Sequence, residues 1–218
     1  MPSRYLDYAI MVDVDALSPE KRAQILQGAS TIFAQDGYEG ASMSRIAAEA
    51  NVSKGTLYNH FAGKAQLFAA FIEQTCNAFL EKVFAGTEDD DGLESGLSGI
   101  GRRMIEMMIS PNGAMVQRVV AAEASKFPEL ARVFYDAGPA RATGQMAEWL
   151  QRQADRGRLS VTDAPFAAEQ FFALVQTRIG MQTRLHLCPP PDETEIAVLV
   201  EAAVQMFLRF YATGMRDT

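Results

Sequence analysis

Six polar or small residues crowd into one short run, Lys54-Gly55-Thr56 and Tyr58-Asn59-His60, interrupted only by Leu57. An ammonium, two hydroxyls, a carboxamide and an imidazole in such a run suit hydrogen bonding more than bond-making. In a helix they face away from the apolar edge formed by Leu57 and Phe61. A short helix with one apolar edge and a hydrogen-bonding face fits the major groove of DNA, whose base edges present donors and acceptors. Such a helix needs a second one to hold it, and the preceding residues supply it. From Ser42 to Lys64 the chain reads SMSRIAAEANVSKGTLYNHFAGK. Ile46, Ala47, Ala50, Val52 and Leu57 are its apolar positions, which predicts two short helices joined by a tight turn. Ala47 falls where the helices cross closely, and a larger side chain would push them apart. Asn51 falls at the turn, where a positive φ is needed and asparagine is one of the few residues besides glycine to tolerate it. Ser53 is placed to cap the second helix, and Ser42 or Ser44 the first. The competing reading is an amphipathic helix pair with a solvated polar side.

The flanks decide between these readings. Leu17 to Gly37 opens with Ser18-Pro19-Glu20, an N-cap followed by proline at the first helical position. Ile25, Leu26, Ala29, Ile32 and Phe33 then repeat on one helical face, and Asp36-Gly37 ends the helix before a short link at Tyr38. Beyond Phe61, Ala62-Gly63-Lys64 opens a further helix carrying Leu67, Phe68, Phe71 and Ile72. Three helices of this kind close a small core, and the fourth ties this head to the rest of the chain.

The ordered pattern Ile25-Leu26-x-x-Ala29-x-x-x-Phe33, Gly37-Tyr38, Ser44-x-Ile46-Ala47, Val52-Ser53-Lys54-Gly55-Thr56-Leu57-Tyr58-x-His60-Phe61 and Lys64-x-x-Leu67 resembles the DNA-binding domain of the TetR family of bacterial transcriptional regulators. The resemblance runs from about Ser18 to Phe71, a quarter of the chain, and departs from the family only at Asn51, where glycine is usual. It implies phosphate contacts from Tyr58, His60 and Lys64, with Ser42 and Ser44 beside phosphate oxygens at a helix N-terminus. It implies a groove-facing set of Lys54, Gly55, Thr56 and Asn59: lysine can donate to guanine, asparagine can pair with adenine, and the threonine methyl can touch thymine.

The chain has 218 residues and a net charge of −7, awkward for a DNA binder until its distribution is read. From Leu17 to Phe68 five basic residues meet four acidic ones, so the head is near neutral and the acid lies elsewhere, notably from Glu88 to Asp91. Local basic placement governs phosphate contact, and distant charge is screened. Modest non-specific affinity and reliance on dimerisation are the consequence. Cys76 and Cys188 lack metal-ligand spacing and suggest a reducing compartment. No uninterrupted apolar run approaches the ~20 residues of a membrane helix. Tyr8 to Val12 is too short for a secretory signal, so a cytoplasmic protein without membrane contact is expected. Of the two histidines, His60 belongs to the motif, and no Ser-His-Asp, metal or phosphate-loop pattern accompanies His186. Neither an enzyme nor a cofactor is expected. Residues 1–16 carry Arg4 among three aspartates; they are expected to form a disordered tail, or to reflect a start upstream of the true one.

Beyond residue 75 helical punctuation continues. Helices are expected over Leu97 to Ile109, Ala114 to Ser125, Glu129 to Ala137, Pro139 to Arg156, from Asp163 onward, and from the Pro189-Pro190-Pro191 break to about Gly214. The Arg118-to-Glu123 phrase with Phe127-Pro128-Glu129-Leu130 and Gly138-Pro139 resembles the C-terminal domain of the AefR-like branch of the same family. The expected fold is all-α: a three-helix helix-turn-helix head over residues 17–65 on a larger helical ligand-binding and dimerisation domain over 66–218, about nine helices.

Two tasks are expected of the second half. Phe171, Leu174 and Val175 on one helix, and Val200, Val204, Phe207 and Tyr211 on the last, form broad apolar faces. By the family resemblance they pair with their symmetry mates in a homodimer; ordinary core explains them almost as well. A twofold dimer would set two recognition helices ~34–36 Å apart on a palindromic double-stranded operator. Met104, Met107, Met108, Phe127, Phe134, Trp149 and Phe172 offer deformable apolar surface for a small hydrophobic ligand, or plain core. Arg178 could meet an anionic ligand, or pair with Glu201. The resulting reading is a repressor released from its operator by ligand. An activator on the same scaffold, or a small-molecule-binding module with weak DNA binding, is the alternative.

Overall fold

The computed structural model describes residues 18–87, 92–177 and 187–213. Ten helices lie in these residues: α1 Pro19–Gly40, α2 Met43–Glu49, α3 Lys54–His60, α4 Lys64–Val83 and α5 Leu93–Ile109, then α6 Pro111–Glu123, α7 Pro128–Ala137, α8 Pro139–Asp155, α9 Ala164–Gln176 and α10 Glu193–Tyr211. The only β-type pairing among them is an isolated bridge between Leu159 and Ala212. The fold is all-α. The expected tail over 1–16 and the acidic break at Glu88 to Asp91 fall outside the described residues.

The chain divides into two compact units, 1–71 and 72–218. The division falls six residues later than the expected 65/66 boundary, because the head takes the first two turns of α4 into its core. Leu67, Phe68 and Phe71 are buried there with Ile25, Leu26, Ile32 and Phe33. The Phe33 and Phe68 rings meet edge to face at 5.0 Å, and Tyr38 meets Phe68 at 5.1 Å. Local chemistry sets the helix ends. Ser18, Ser42 and Ser53 each accept a backbone N–H three residues on, capping α1, α2 and α3. Gly37 breaks α1 with φ 70°, so the last turn before Gly40 is set off by a kink where the sequence placed the end of the helix. Asn51 takes φ 50° at the turn between α2 and α3. At Gly28 any Cβ would lie 2.8 Å from the Ala50 backbone nitrogen, which lets α1 and α2 approach closely.

The second unit packs α5, α8, α9 and α10 around one core containing Leu97, Ile100, Met146, Leu150, Phe171 and Phe207. Three of its helices, α5, α6 and α7, begin earlier than the sequence suggests. Ser110-Pro111 does not merely stop α5; Ser110 caps α6, and Pro111 is its first residue. Gly113 is obligatory beside this junction, since a Cβ there would lie 2.1 Å from the Met107 carbonyl oxygen. α10 starts with a reciprocal capping box between Asp192 and Glu195. No helix among the described residues is long and apolar enough to cross a membrane.

Candidate DNA interface and ligand cavity

In α3 the apolar edge is fixed by Leu57, fully buried, and Phe61 at the C-cap, nearly so. Lys54, Gly55, Tyr58 and Asn59 are consequently exposed on the opposite side, one helical turn apart in pairs. The side chains of Lys54, Tyr58 and Asn59 make no bond within the described residues, so their hydrogen-bonding capacity is unspent. Thr56 is half-buried, with its hydroxyl 2.9 Å from that of Ser53, which turns part of its polarity inward. Ser42 and Ser44 are exposed at the start of α2. The Ser42 oxygen accepts from the Arg45 N–H, which leaves its hydroxyl proton available to an outside acceptor.

Two expected phosphate contacts find other employment. Lys64 donates to three carbonyls, those of Tyr38 at 2.7 Å, Ala41 at 2.9 Å and Glu39 at 3.0 Å. An ammonium has three protons, and all three are used. Its charge also lies 4.6 Å from the Tyr38 ring centroid. Lys64 therefore ties the end of α1 and the entry to α2 to the start of α4, and a direct phosphate contact would break that cradle. His60 is half-buried, and its Nε2 is sealed from solvent without a partner. Burial, and secondarily the Arg22 guanidinium, hold its pKa below the ordinary histidine value. A neutral ring with its outer nitrogen sealed is a poor phosphate ligand. Arg22 itself carried no signal in the sequence. It is exposed and lies over the Phe61 ring at 5.0 Å, placing a cation beside the C-terminal end of α3. Arg45 on α2 is paired with Asp36, whose hydrogen bond and charge raise the guanidinium's pKa.

The second unit contains a half-open cavity of about 440 Å³, within the range of small-molecule pockets. The later turns of α4 supply Cys76, Phe79, Leu80 and Val83; α5 supplies Met104, Met107 and Met108; α9 supplies Glu169, Phe172, Ala173 and Gln176. Gln117, Phe134 and Thr143 complete its polar and aromatic character. Burial pushes the Cys76 thiol up to about 11. Five expected ligand residues thus meet at one cavity: Met104, Met107, Met108, Phe134 and Phe172. Two do not. Trp149 is core, its ring standing 2.6 Å from where a Cβ on Gly96 would be, and Phe127 occupies the N-cap of α7. Arg178 lies outside the described residues. Glu169, Gln117 and Gln176 carried no sequence signal, since polar residues on amphipathic helices ordinarily face water.

The expected dimerisation set also needs correction. Phe171 and Val175 are fully buried in the single chain, and Val200, Val204, Phe207 and Tyr211 are 8% exposed or less. Phe171 meets Phe207 edge to face at 5.4 Å, and the Tyr211 hydroxyl donates to Gln170. These side chains hold α9 and α10 together within the protomer and have little surface left for a partner. Only Leu174 is half-buried. Exposed instead are Val198, Met206 and Phe210, spaced along one side of α10 with Ala202 between them, and Phe166 on α9. Among the described residues no group of three His, Cys, Asp or Glu side chains could hold a metal ion.

A helix-turn-helix head with an unspent polar face, followed along the chain by a helical body containing an apolar cavity, fits a DNA-binding transcriptional regulator. Comparison with known proteins agrees. Residues 25–71 match the model of bacterial regulatory proteins of the tetR family, and residues 95–213 match the AefR-like transcriptional repressor C-terminal domain. The chain belongs to the TetR family of transcriptional regulators. It is 28% identical to the transcriptional repressor AcnR of Corynebacterium efficiens over 185 residues, covering 84% of this chain and 92% of that one. Over 55 residues it is 44% identical to the transcriptional activator FasR of Mycolicibacterium smegmatis, a quarter of each chain. The crystal structure of a TetR-family regulator from Mesorhizobium loti superposes with a TM-score of 0.80 at 28% identity, covering 89% of this chain and 98% of that one. The flavonoid-responsive regulator FrrA superposes at 0.79 with 29% identity, over 90% and 100%.

Proposed function

We propose that this regulator is a homodimeric repressor, released from a palindromic operator when a small, mainly apolar molecule fills the cavity of its second unit. The observation that carries the reading is the membership of α4. This one helix begins directly after the recognition motif with Lys64 and later lines the cavity with Cys76, Phe79, Leu80 and Val83. A molecule that prefers one setting of α4 biases whatever α4 positions. Moving an equilibrium from 1:99 to 99:1 takes ~5.5 kcal/mol of differential binding. At ~25 cal/mol per Å² that equals roughly 220 Å² of apolar surface buried in one state and not the other, within reach of a drug-sized ligand. The name of FrrA, flavonoid-responsive, supports a small organic effector. The repressor names among its relatives support the sign, while the activator FasR supports activation on the same scaffold as the second reading.

On DNA, Lys54, Gly55, Thr56 and Asn59 read base edges, and Tyr58, Ser42 and Ser44 hold phosphate. The second copy docks on the exposed stripe of Val198, Ala202, Met206 and Phe210, which is helical in spacing and apolar while the flanking positions Glu195 and Arg209 are charged. Footprinting on the DNA upstream of the gene tests this proposal. Two protected half-sites about one helical turn apart are expected; one unpaired half-site would overturn the dimeric reading.

A further inference from the structure

We infer that the molecule taken by the cavity is an organic cation, largely apolar and carrying an ammonium or delocalised positive group. The inference rests on the ligand-responsive reading above and names its ligand class. Two independent features of the lining point the same way. The first is charge. Among the described residues Glu169 is the one carboxylate on the cavity wall, and no lysine, arginine or histidine stands there. The other ionisable group on the wall, the Cys76 thiol, is neutral at physiological pH. Glu169 has neither an ion pair nor a side-chain hydrogen bond within the described residues, so its charge is uncommitted.

The second feature is the kind of apolar surface. Phe79, Phe134 and Phe172 contribute three aromatic rings to the lining of the same cavity, and ring faces attract cations. The methionine sulfurs of α5 add polarisable contact that adapts to irregular shapes. A carboxylate-bearing ligand would bring a second negative charge beside Glu169 with no cation among the described lining residues to compensate either, and like charges repel. Gln117, Gln176 and Thr143 both donate and accept, so they orient a polar group without selecting its sign.

Three straight-chain probes of equal length separate charge from apolar burial: decyltrimethylammonium, 1-decanol and decanoate, each below its micellar range. Isothermal titration calorimetry at pH 7 is to be run on the full chain and on Glu169→Gln. Glu169 is exposed, so the variant is expected to fold as the parent does. The cation should bind about tenfold or more tighter than the alcohol, equivalent to ~1.4 kcal/mol, and decanoate weakest. Glu169→Gln should remove most of the cation's advantage while leaving the affinity for 1-decanol unchanged. A cation advantage below that tenfold, decanoate binding as well as the cation, or a cation preference that survives Glu169→Gln would each overturn the charge inference and leave the apolar-sensor reading standing. Binding by none of the three would overturn both.

Discussion

Replacing Lys64 with methionine separates two roles that a sequence motif cannot distinguish. As a phosphate ligand, Lys64 of each protomer would contribute one counterion release, and loss of both from the proposed dimer would lower the slope of log affinity against log salt by ~1.8. As a tether, it donates to the carbonyls of Tyr38, Glu39 and Ala41, all at 3.0 Å or less. Hydrogen bonds from charged donors contribute about 1.5–3 kcal/mol each in isolation. The site is only half-buried and the three bonds share one flexible side chain, so a total of roughly 2–3 kcal/mol is expected. For a domain of this size that is on the order of 10 °C in melting temperature. Lys64→Arg should rescue little, because a planar guanidinium cannot reproduce a point donor surrounded by three carbonyls. The assay pairs thermal melting with fluorescence anisotropy on a duplex from the upstream region, between 50 and 200 mM salt. Expected are a lower melting temperature, weaker DNA binding and an unchanged salt slope. A slope reduced by ~1.8 with an unchanged melting temperature would refute the tether and restore the phosphate contact.

The same geometry sets five other outcomes. Gly28→Ala should destabilise the head by about 1–3 kcal/mol in urea unfolding, because its Cβ would press on the Ala50 backbone at 2.8 Å. Tyr58→Ala should weaken binding to all duplexes alike and reduce the salt slope, whereas Asn59→Ala should relax sequence preference at one base pair in competition assays. His60 has its folded pKa lowered by burial and Arg22, so the stability from its neutral ring is fully present above the unfolded value of ~6.5 and lost as pH falls toward the folded one. The urea midpoint should drop between pH 7.5 and 5.5, and His60→Asn should flatten that dependence. Met206→Glu with Phe210→Glu should convert the proposed dimer to monomer in sedimentation without unfolding it, as both side chains are more than half exposed in the protomer.

How local each signal is decides whether the sequence reveals it. Ser18, Ser42 and Ser53 cap helices through N–H groups three residues away, and Asn51 adopts its turn by its own conformational tolerance. Such features are readable because cause and effect lie within one turn of chain. The cradle around Lys64 involves carbonyls 23 to 26 residues earlier, so a motif that places lysine at that position cannot say what it touches. Apolar periodicity in α9 and α10 correctly marks a buried face. It does not say whether the chain's own core or a second copy does the burying, and Phe171, Val175 and Phe207 turned out to be core. The exposed stripe of Val198, Met206 and Phe210 becomes visible only after that core is subtracted. The cavity was half legible for a similar reason. Methionines and phenylalanines announce apolar volume, but Trp149 fills it while Met108 borders it, a distinction made by helix packing. Glu169 was hidden because its neighbours on the wall come from five other helices.

Occupancy of the cavity should set affinity for DNA, and this coupling is the centre of the proposed function. It is tested most directly by titrating the upstream duplex with protein alone and with protein saturated by a compound shown by thermal shift to bind the second unit. Phe172→Ala serves as the control that enlarges and weakens the site. Coupling between two sites typically amounts to 1–3 kcal/mol and is reciprocal. DNA affinity should be at least about tenfold weaker with the compound bound, with an equal loss of compound affinity on DNA and attenuation of both in Phe172→Ala. Saturation of the cavity with no change in DNA affinity would contradict the coupling.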